Sequence, residues 1–419
     1  MLHKTIVRIC FLLLILMADS LTINAAENGS GFVVNRQVEG RFRILTDDIF
    51  STVKPHLSGD LSFEDYYQWK RKLSANNGLD FLLVNAPIYQ FGSNNSESFL
   101  DNEMDFFLQK RFFEESDWAG QLFFWGVYVQ TFSELPSGQF ADSQNLISFP
   151  NGGATDPDQS VVAISALWWE QQLTSNFFSY RVGQLYAPAL WGTNKYLGDD
   201  RYSFMNTVLS TNQGVPWAGG SRGVGATAAY QSDWISMSAG FQDAKGDQKN
   251  IDFSSFSDGK FMYLGEMSFD PHIYEQGAGA YKFTVGYNDA TGSGTGVSER
   301  DGWGITLSGR QDFPDNFGLF AIYRRSWERE VNGAKATAGA GVVFTEPFGW
   351  SDDWLGVGYF YADPSNAQYQ DEHGVEAYWR MQLTHRLELT PDVQVYLTPA
   401  KDTEDDISVV FGLRLRYLL

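Results

Sequence analysis

Along residues 407–419, every second position is apolar: Ile407, Val409, Phe411, Leu413, Leu415, Tyr417 and Leu419. Between them lie Ser408, Val410, Gly412, Arg414, Arg416 and Leu418. Side chains of a strand point alternately to opposite faces, so this stretch predicts a strand with one greasy face and one mixed face. The pattern recurs upstream. Val375, Ala377, Trp379, Met381 and Leu383 alternate with Glu376, Tyr378, Arg380, Gln382 and Thr384. Leu387, Leu389, Val393, Val395 and Leu397 alternate with Glu388, Thr390, Asp392, Gln394 and Tyr396. Further runs surround Tyr281, Phe283 and Val285, and Trp303, Ile305 and Leu307.

Read through to the end, this period gives strands near 79–91, 99–112, 118–132, 158–173, 177–186, 223–232, 234–243 and 261–270. The others fall near 278–289, 301–312, 316–328, 336–346, 353–363, 373–384, 387–398 and 406–419. An even count of sixteen returns both chain ends to one side, as a bacterial outer-membrane barrel requires. A soluble β-sandwich alternates as well. The barrel is preferred because the polar face is rich in glycine and long charged side chains, as a wet lumen would be. Tyrosine and tryptophan also gather near strand ends, and short and long connections alternate. Tight turns such as Ser232–Asp233 and Thr384–Arg386 then fall on the periplasmic side, and long connections such as 133–157, 187–222 and 244–260 fall outside.

Residues 55–73 read as a helix rather than a further strand. Ser62 and Asp65 suggest a capping box, Tyr66, Trp69 and Leu73 share one helical face, and Gly78 is a stop signal. The start of the chain reads as an export signal, with Lys4 and Arg8 before the apolar stretch Cys10–Met17 and with Ala25 and Ala26 at the cleavage site; an uncleaved anchor is the alternative. The expected organisation is thus a signal over 1–26, a periplasmic extension with a short helix over 27–78, and the barrel over 79–419.

Composition narrows the function classes. There are 30 basic and 51 acidic side chains, a net charge of −21. That argues against nucleic acid or an anionic membrane surface as partner. The only cysteine, Cys10, lies in the expected signal, which leaves no disulfide framework or thiolate site in the mature chain. After the signal no apolar run is long enough for a transmembrane helix. Histidines 3, 56, 272, 373 and 385 show no metal-ligand spacing, and no cofactor is expected. Gly219-Gly220-Ser221-Arg222-Gly223 matches a nucleophile-elbow pattern, but it leads into a strand where that mechanism needs a strand-to-helix turn. No enzyme is expected.

Particular segments add a family likeness. Leu167-Trp168-Trp169-Glu170-Gln171-Gln172-Leu173, followed by Tyr180-Arg181-Val182-Gly183-Gln184-Leu185, resembles the OprB-type carbohydrate-selective porins. So do Phe204-Met205-Asn206 with Pro216, Asp353-Trp354-Leu355-Gly356-Val357-Gly358 and Glu376-Ala377-Tyr378. Leu389-Thr390-Pro391-Asp392-Val393-Gln394, Pro399 and Val410-Phe411-Gly412-Leu413-Arg414 complete the series, and the likeness covers most of 60–419. The resemblance implies a 16-stranded outer-membrane channel passing glucose and other sugars down a gradient. Ile322 stands where that family often carries arginine, with Arg324 and Arg325 close behind. This leaves the sugar preference open.

In such a barrel something must narrow the lumen. The connection 187–222 is by this count the third external loop and the longest, and it is expected to fold inward. It carries Trp191, Tyr196, Asp199, Arg201, Tyr202 and Trp217. Aromatic rings can stack on the C–H faces of sugars, and fixed polar groups can exchange hydrogen bonds with hydroxyls. Arg181, Arg310, Arg324, Glu376, Arg380 and Arg414 are expected on the wall opposite, where they contact sugar or simply brace the loop. A general or cation-preferring pore is the alternative, motivated by Asp101, Glu103 and Asp105 on one expected lumen face. A secreted soluble β-rich protein is a third reading. The expected partners are sugars as permeants, outer-membrane lipid and lipopolysaccharide, and the barrel-assembly machinery. Homo-oligomer and monomer stay open, because lipid-facing and subunit-facing apolar positions look alike.

Overall fold

The computed structural model describes residues 56–57, 64–113, 119–152, 160–173, 177–198, 200–210, 221–246, 250–251, 253, 256–273, 277–289, 301–327, 333–402 and 407–419. The export signal and residues 27–55 lie outside the described residues.

Sixteen strands form a closed antiparallel barrel. They are β1 (Leu79–Gly92), β2 (Ser98–Phe112), β3 (Gly120–Thr131), β4 (Ser160–Leu173), β5 (Phe178–Tyr186), β6 (Arg222–Gln231), β7 (Ile235–Asp243) and β8 (Phe261–Phe269). The second half comprises β9 (Gly277–Asn288), β10 (Gly302–Phe313), β11 (Phe317–Trp327), β12 (Ala334–Thr345), β13 (Trp354–Pro364), β14 (Glu372–Gln382), β15 (Leu387–Thr398) and β16 (Ser408–Leu418). Each strand pairs with its sequence neighbours, and a two-residue piece, His272–Ile273, extends the β8–β9 hairpin. Closure comes from β1 against β16, with Val84 opposite Leu418 and Phe91 opposite Phe411. That ladder is interrupted between Asn85 and Ile88, where Pro87 has no N–H to donate.

Burial is the reverse of a soluble protein's. On β16, Phe411, Leu413 and Leu415 are 44%, 46% and 39% exposed, whereas Arg414 and Arg416 are 1% and 2% exposed. A greasy outer face and a charged inner one suit a closed sheet surrounded by hydrocarbon, in which every backbone group must be paired within the sheet.

The tight turns are built by side chains suited to them. Ser232 Oγ accepts from the Ile235 N–H at 3.2 Å, and Thr384 Oγ1 accepts from the N–H groups of Arg386 and Leu387 at 3.2 and 3.1 Å. The helix before the barrel is α1 (Glu64–Asn77), and it ends at Gly78, whose φ of 57° suits glycine. Its contacts with the barrel are mixed, and the Tyr66 ring centroid lies 4.6 Å from the Arg386 guanidinium. Trp69 is half exposed, with its ring edge-on to Phe81, while Lys70 is buried over the Phe81 ring. Tyr67 accepts from Arg386 Nε at 3.1 Å, and Ser74 Oγ accepts from Arg111 Nη2 at 2.7 Å. The rim presents arginines to the helix, so its polar side chains turn toward the barrel. Ser62 of the expected capping box lies outside the described residues.

Candidate functional site

The inward face of the wall carries charge at many levels. Asp101, Glu103 and Asp105 descend β2, Glu372, Glu376 and Arg380 descend β14, and Arg414 and Arg416 lie on β16, all buried. Alternation puts these groups inside, and what they touch there is chiefly the chain between β5 and β6. That segment opens with α3 (Ala187–Leu190) and contains α4 (Thr207–Ser210).

Its path follows a series of anchors. The Gly192 N–H donates to Glu266, and Lys282 Nζ donates to Thr193 Oγ1 at 3.1 Å. Asn194 Nδ2 donates to Ser308 Oγ at 3.0 Å. Asp312 on β10 accepts from Tyr196 Oη at 2.6 Å, Lys195 Nζ at 3.1 Å and Arg310 Nη1 at 2.8 Å. The wall is recessed here. A Cβ on Gly318 would overlap the Tyr196 hydroxyl, and one on Gly358 would lie 2.8 Å from Leu209 Cδ1.

The middle of the segment is gripped from both sides of β1. Arg201 makes a paired contact with Asp101, at 2.9 and 2.7 Å, with Glu103 and Asp200 each at 3.5 Å. Burial works against the Arg201 charge, but the carboxylates of Asp101, Glu103 and Asp200 outweigh it and hold its pKa well above the usual arginine value. From the other side, Arg414 donates to the carbonyls of Asp200 and Ser203, the latter at 2.9 Å, and to Thr390 Oγ1 at 3.2 Å. Beside this clamp, the Arg380 guanidinium lies 3.8 Å from the Tyr202 ring centroid and 4.4 Å from that of Trp354. Arg416 lies 4.9 Å from the same Tyr202 ring. Burial raises the Tyr202 hydroxyl pKa, and the Arg380 charge opposes it. Burial, reinforced by the bond to Asp312, raises that of Tyr196. Toward the end, Glu376 accepts from the N–H groups of Met205 and Asn206, and Arg324 donates to the Val208 carbonyl.

The residues singled out in the sequence are thus placed as follows. Arg181 pairs with Glu170 at 2.9 Å on the wall, and Trp191 is buried in an apolar cluster with Trp125, Trp168 and Leu264. Arg201, Arg324, Glu376 and Arg414 are brought together with the segment that crosses the lumen. Tyr196 and Arg310 meet at Asp312, and Tyr202 meets Arg380. Asp199 and Trp217 lie outside the described residues. Sequence reasoning missed Glu266, Asp312 and Glu372 as anchors; their parity with the polar face of β8, β10 and β14 is the signal that could have found them. It also missed the connection between β3 and β4, whose Phe149 exchanges hydrogen bonds with Thr207 inside the barrel. Among the described residues, no cluster of His, Cys, Asp or Glu could hold a metal ion.

Known proteins agree with this architecture. Residues 135–417 match the profile of the carbohydrate-selective porin, OprB family. Porin AaxA of Chlamydia pneumoniae is 27% identical over 269 residues, covering 60% of this chain and 58% of that protein. Porin AaxA of Chlamydia abortus is 23% identical over 275 residues, covering 64% of this chain and 59% of that protein. The chain therefore spans less than two thirds of these relatives' length. In fold it is similar to Pseudomonas putida OprB, solved at high pH, with a TM-score of 0.70 and 14% identity over 85% of this chain and 97% of that one. With the profile covering well over half its length, the chain belongs to the OprB family of carbohydrate-selective porins.

Proposed function

We propose that this outer-membrane barrel passes glucose-like mono- and oligosaccharides passively through a water-filled lumen narrowed by its third external loop. The observation that carries this reading is the loop between β5 and β6, anchored by Glu266, Asp312, Asp101, Arg414, Glu376 and Arg324 across much of the wall. Such a segment leaves a bore set by fixed polar and aromatic groups, and several shallow contacts let a sugar enter and leave. Arg201, Arg414 and Glu376 act as braces. Tyr202 and Arg310, which keep partial exposure, meet the sugar. Arg181, Trp191, Tyr196, Arg324 and Arg380 complete the lining by contact or by support. Residues 1–26 direct export, 27–78 lie in the periplasm, and the barrel is surrounded by lipid and lipopolysaccharide after insertion by the assembly machinery.

A cation-preferring pore is a second reading, favoured by the excess of carboxylates around Arg201: Asp101, Glu103 and Asp200, with Asp105 below. Liposome swelling tests the choice. Vesicles carrying the purified protein are expected to swell fast in glucose and far more slowly in long maltodextrins. Faster swelling in cationic solutes than in uncharged sugars of the same size would favour the second reading.

A further inference from the structure

Glu372 opens β14 with its side chain fully buried in the lumen. Its two oxygens accept from the N–H groups of Ile147 at 2.8 Å, Ser148 at 2.9 Å and Ala400 at 3.3 Å, and from the Ser148 hydroxyl. Three of these four donors belong to the connection between β3 and β4, which carries the short helix α2 (Ser137–Ser143). The same stretch is held at Pro150, whose carbonyl accepts from Gln394 Nε2 at 2.8 Å and Gln90 Nε2 at 3.0 Å.

The opposite side of this stretch meets the third loop. The Thr207 N–H donates to the Phe149 carbonyl at 2.9 Å, the Phe149 N–H donates to Thr207 Oγ1 at 3.0 Å, and Asn206 Nδ2 donates to Ser148 Oγ at 3.3 Å. Asn206 is also tied to the wall by Tyr396 Oη at 2.8 Å and by Glu376. Residues 147–150 are therefore a spacer: wall and Glu372 on one side, third loop on the other. A carboxylate accepting several N–H groups is a strong, directional anchor. Glutamine has one acceptor oxygen and would turn an N–H₂ toward N–H donors, so it cannot hold the same stretch.

We propose that Glu372 is a positioning residue that sets the bore of the pore by fixing the second external loop as a wedge behind the third. The inference rests on the channel reading above. It is tested on single channels in planar bilayers, which report only folded, inserted protein. Glu372→Gln is expected to raise mean conductance, to add transitions between levels, and to raise the glucose concentration that halves the current about tenfold, the scale of a lost charge-assisted bond. Thr207→Val, which leaves Glu372 intact but removes the acceptor for Phe149, is expected to shift both readouts in the same direction by less. A Glu372→Gln channel with unaltered conductance and glucose block would overturn the proposal. If that variant does not insert, Thr207→Val carries the test, and unchanged values there overturn it. Wild-type protein that forms no channel would instead refute the channel reading itself.

Discussion

Arg201→Ala is expected to raise single-channel conductance and to make the pore more cation-selective. Arg201 is 2% exposed and faces Asp101, Glu103 and Asp200, with a further bond to the Ala86 carbonyl. Removing one partner of a buried ion pair costs about 3–5 kcal/mol, because the other charges are left uncompensated. Here three carboxylates lose their shared cation. Water can reach them only if the third loop leaves the wall, so the docked state loses roughly two to four powers of ten in population. An undocked loop widens the bore, and the exposed carboxylates attract cations. Conductance and reversal potential report both effects. Unchanged values would mean that the clamp does not control the pore. Pairing Arg201→Met with Asp101→Leu should restore the closed form only in part: apolar groups of similar volume replace that pair without great loss, but Glu103 and Asp200 still lose their cation. The double-mutant cycle then isolates the coupling between the two residues.

Replacing residues 191–217 by a short Gly-Ser linker is expected to give the largest conductance of any variant. A sixteen-stranded porin barrel emptied of its loop is a wide aqueous channel. The deletion removes the partners of Glu266, Asp312, Glu376, Arg324 and Arg414 together, and water then hydrates these wall groups, so no buried charge is stranded. The ladder hydrogen bonds that hold the sheet are untouched. The barrel should therefore keep its compact, heat-sensitive mobility on gels while conductance rises and sugar discrimination falls. A deletion channel with wild-type conductance would show that the constriction lies elsewhere.

Much of this architecture was legible because the period of a strand is short and lipid enforces it. The run expected at 387–398 is Leu387–Thr398, and that expected at 353–363 is Trp354–Pro364. A one-residue slip would bring Arg414 to the lipid and Leu413 to the lumen, so sequence parity alone places both. Parity also set Arg324, Glu376, Arg380 and Arg414 indoors. It was silent on what they touch, because Arg324, Glu376 and Arg414 meet backbone groups of Asp200, Ser203, Met205, Asn206 and Val208, and Arg380 meets the Tyr202 ring, all in a segment with no period to read. The wedge at Ile147–Pro150 was read as an external connection for the same reason. Its contact with Glu372 joins positions more than two hundred residues apart. For α1 the existence and the stop at Gly78 were legible. Its polar contacts through Tyr67 and Ser74 were not, because apolar periodicity assumes an apolar neighbour and the rim also supplies Arg386 and Arg111.

The most direct test of a sugar-passing lumen is a planar bilayer holding the purified full chain while glucose is titrated into both compartments. A sugar-passing lumen gives discrete current steps that fall progressively and saturably as glucose rises. Current steps that ignore glucose at every concentration, or a bilayer that shows no steps at all, would contradict it.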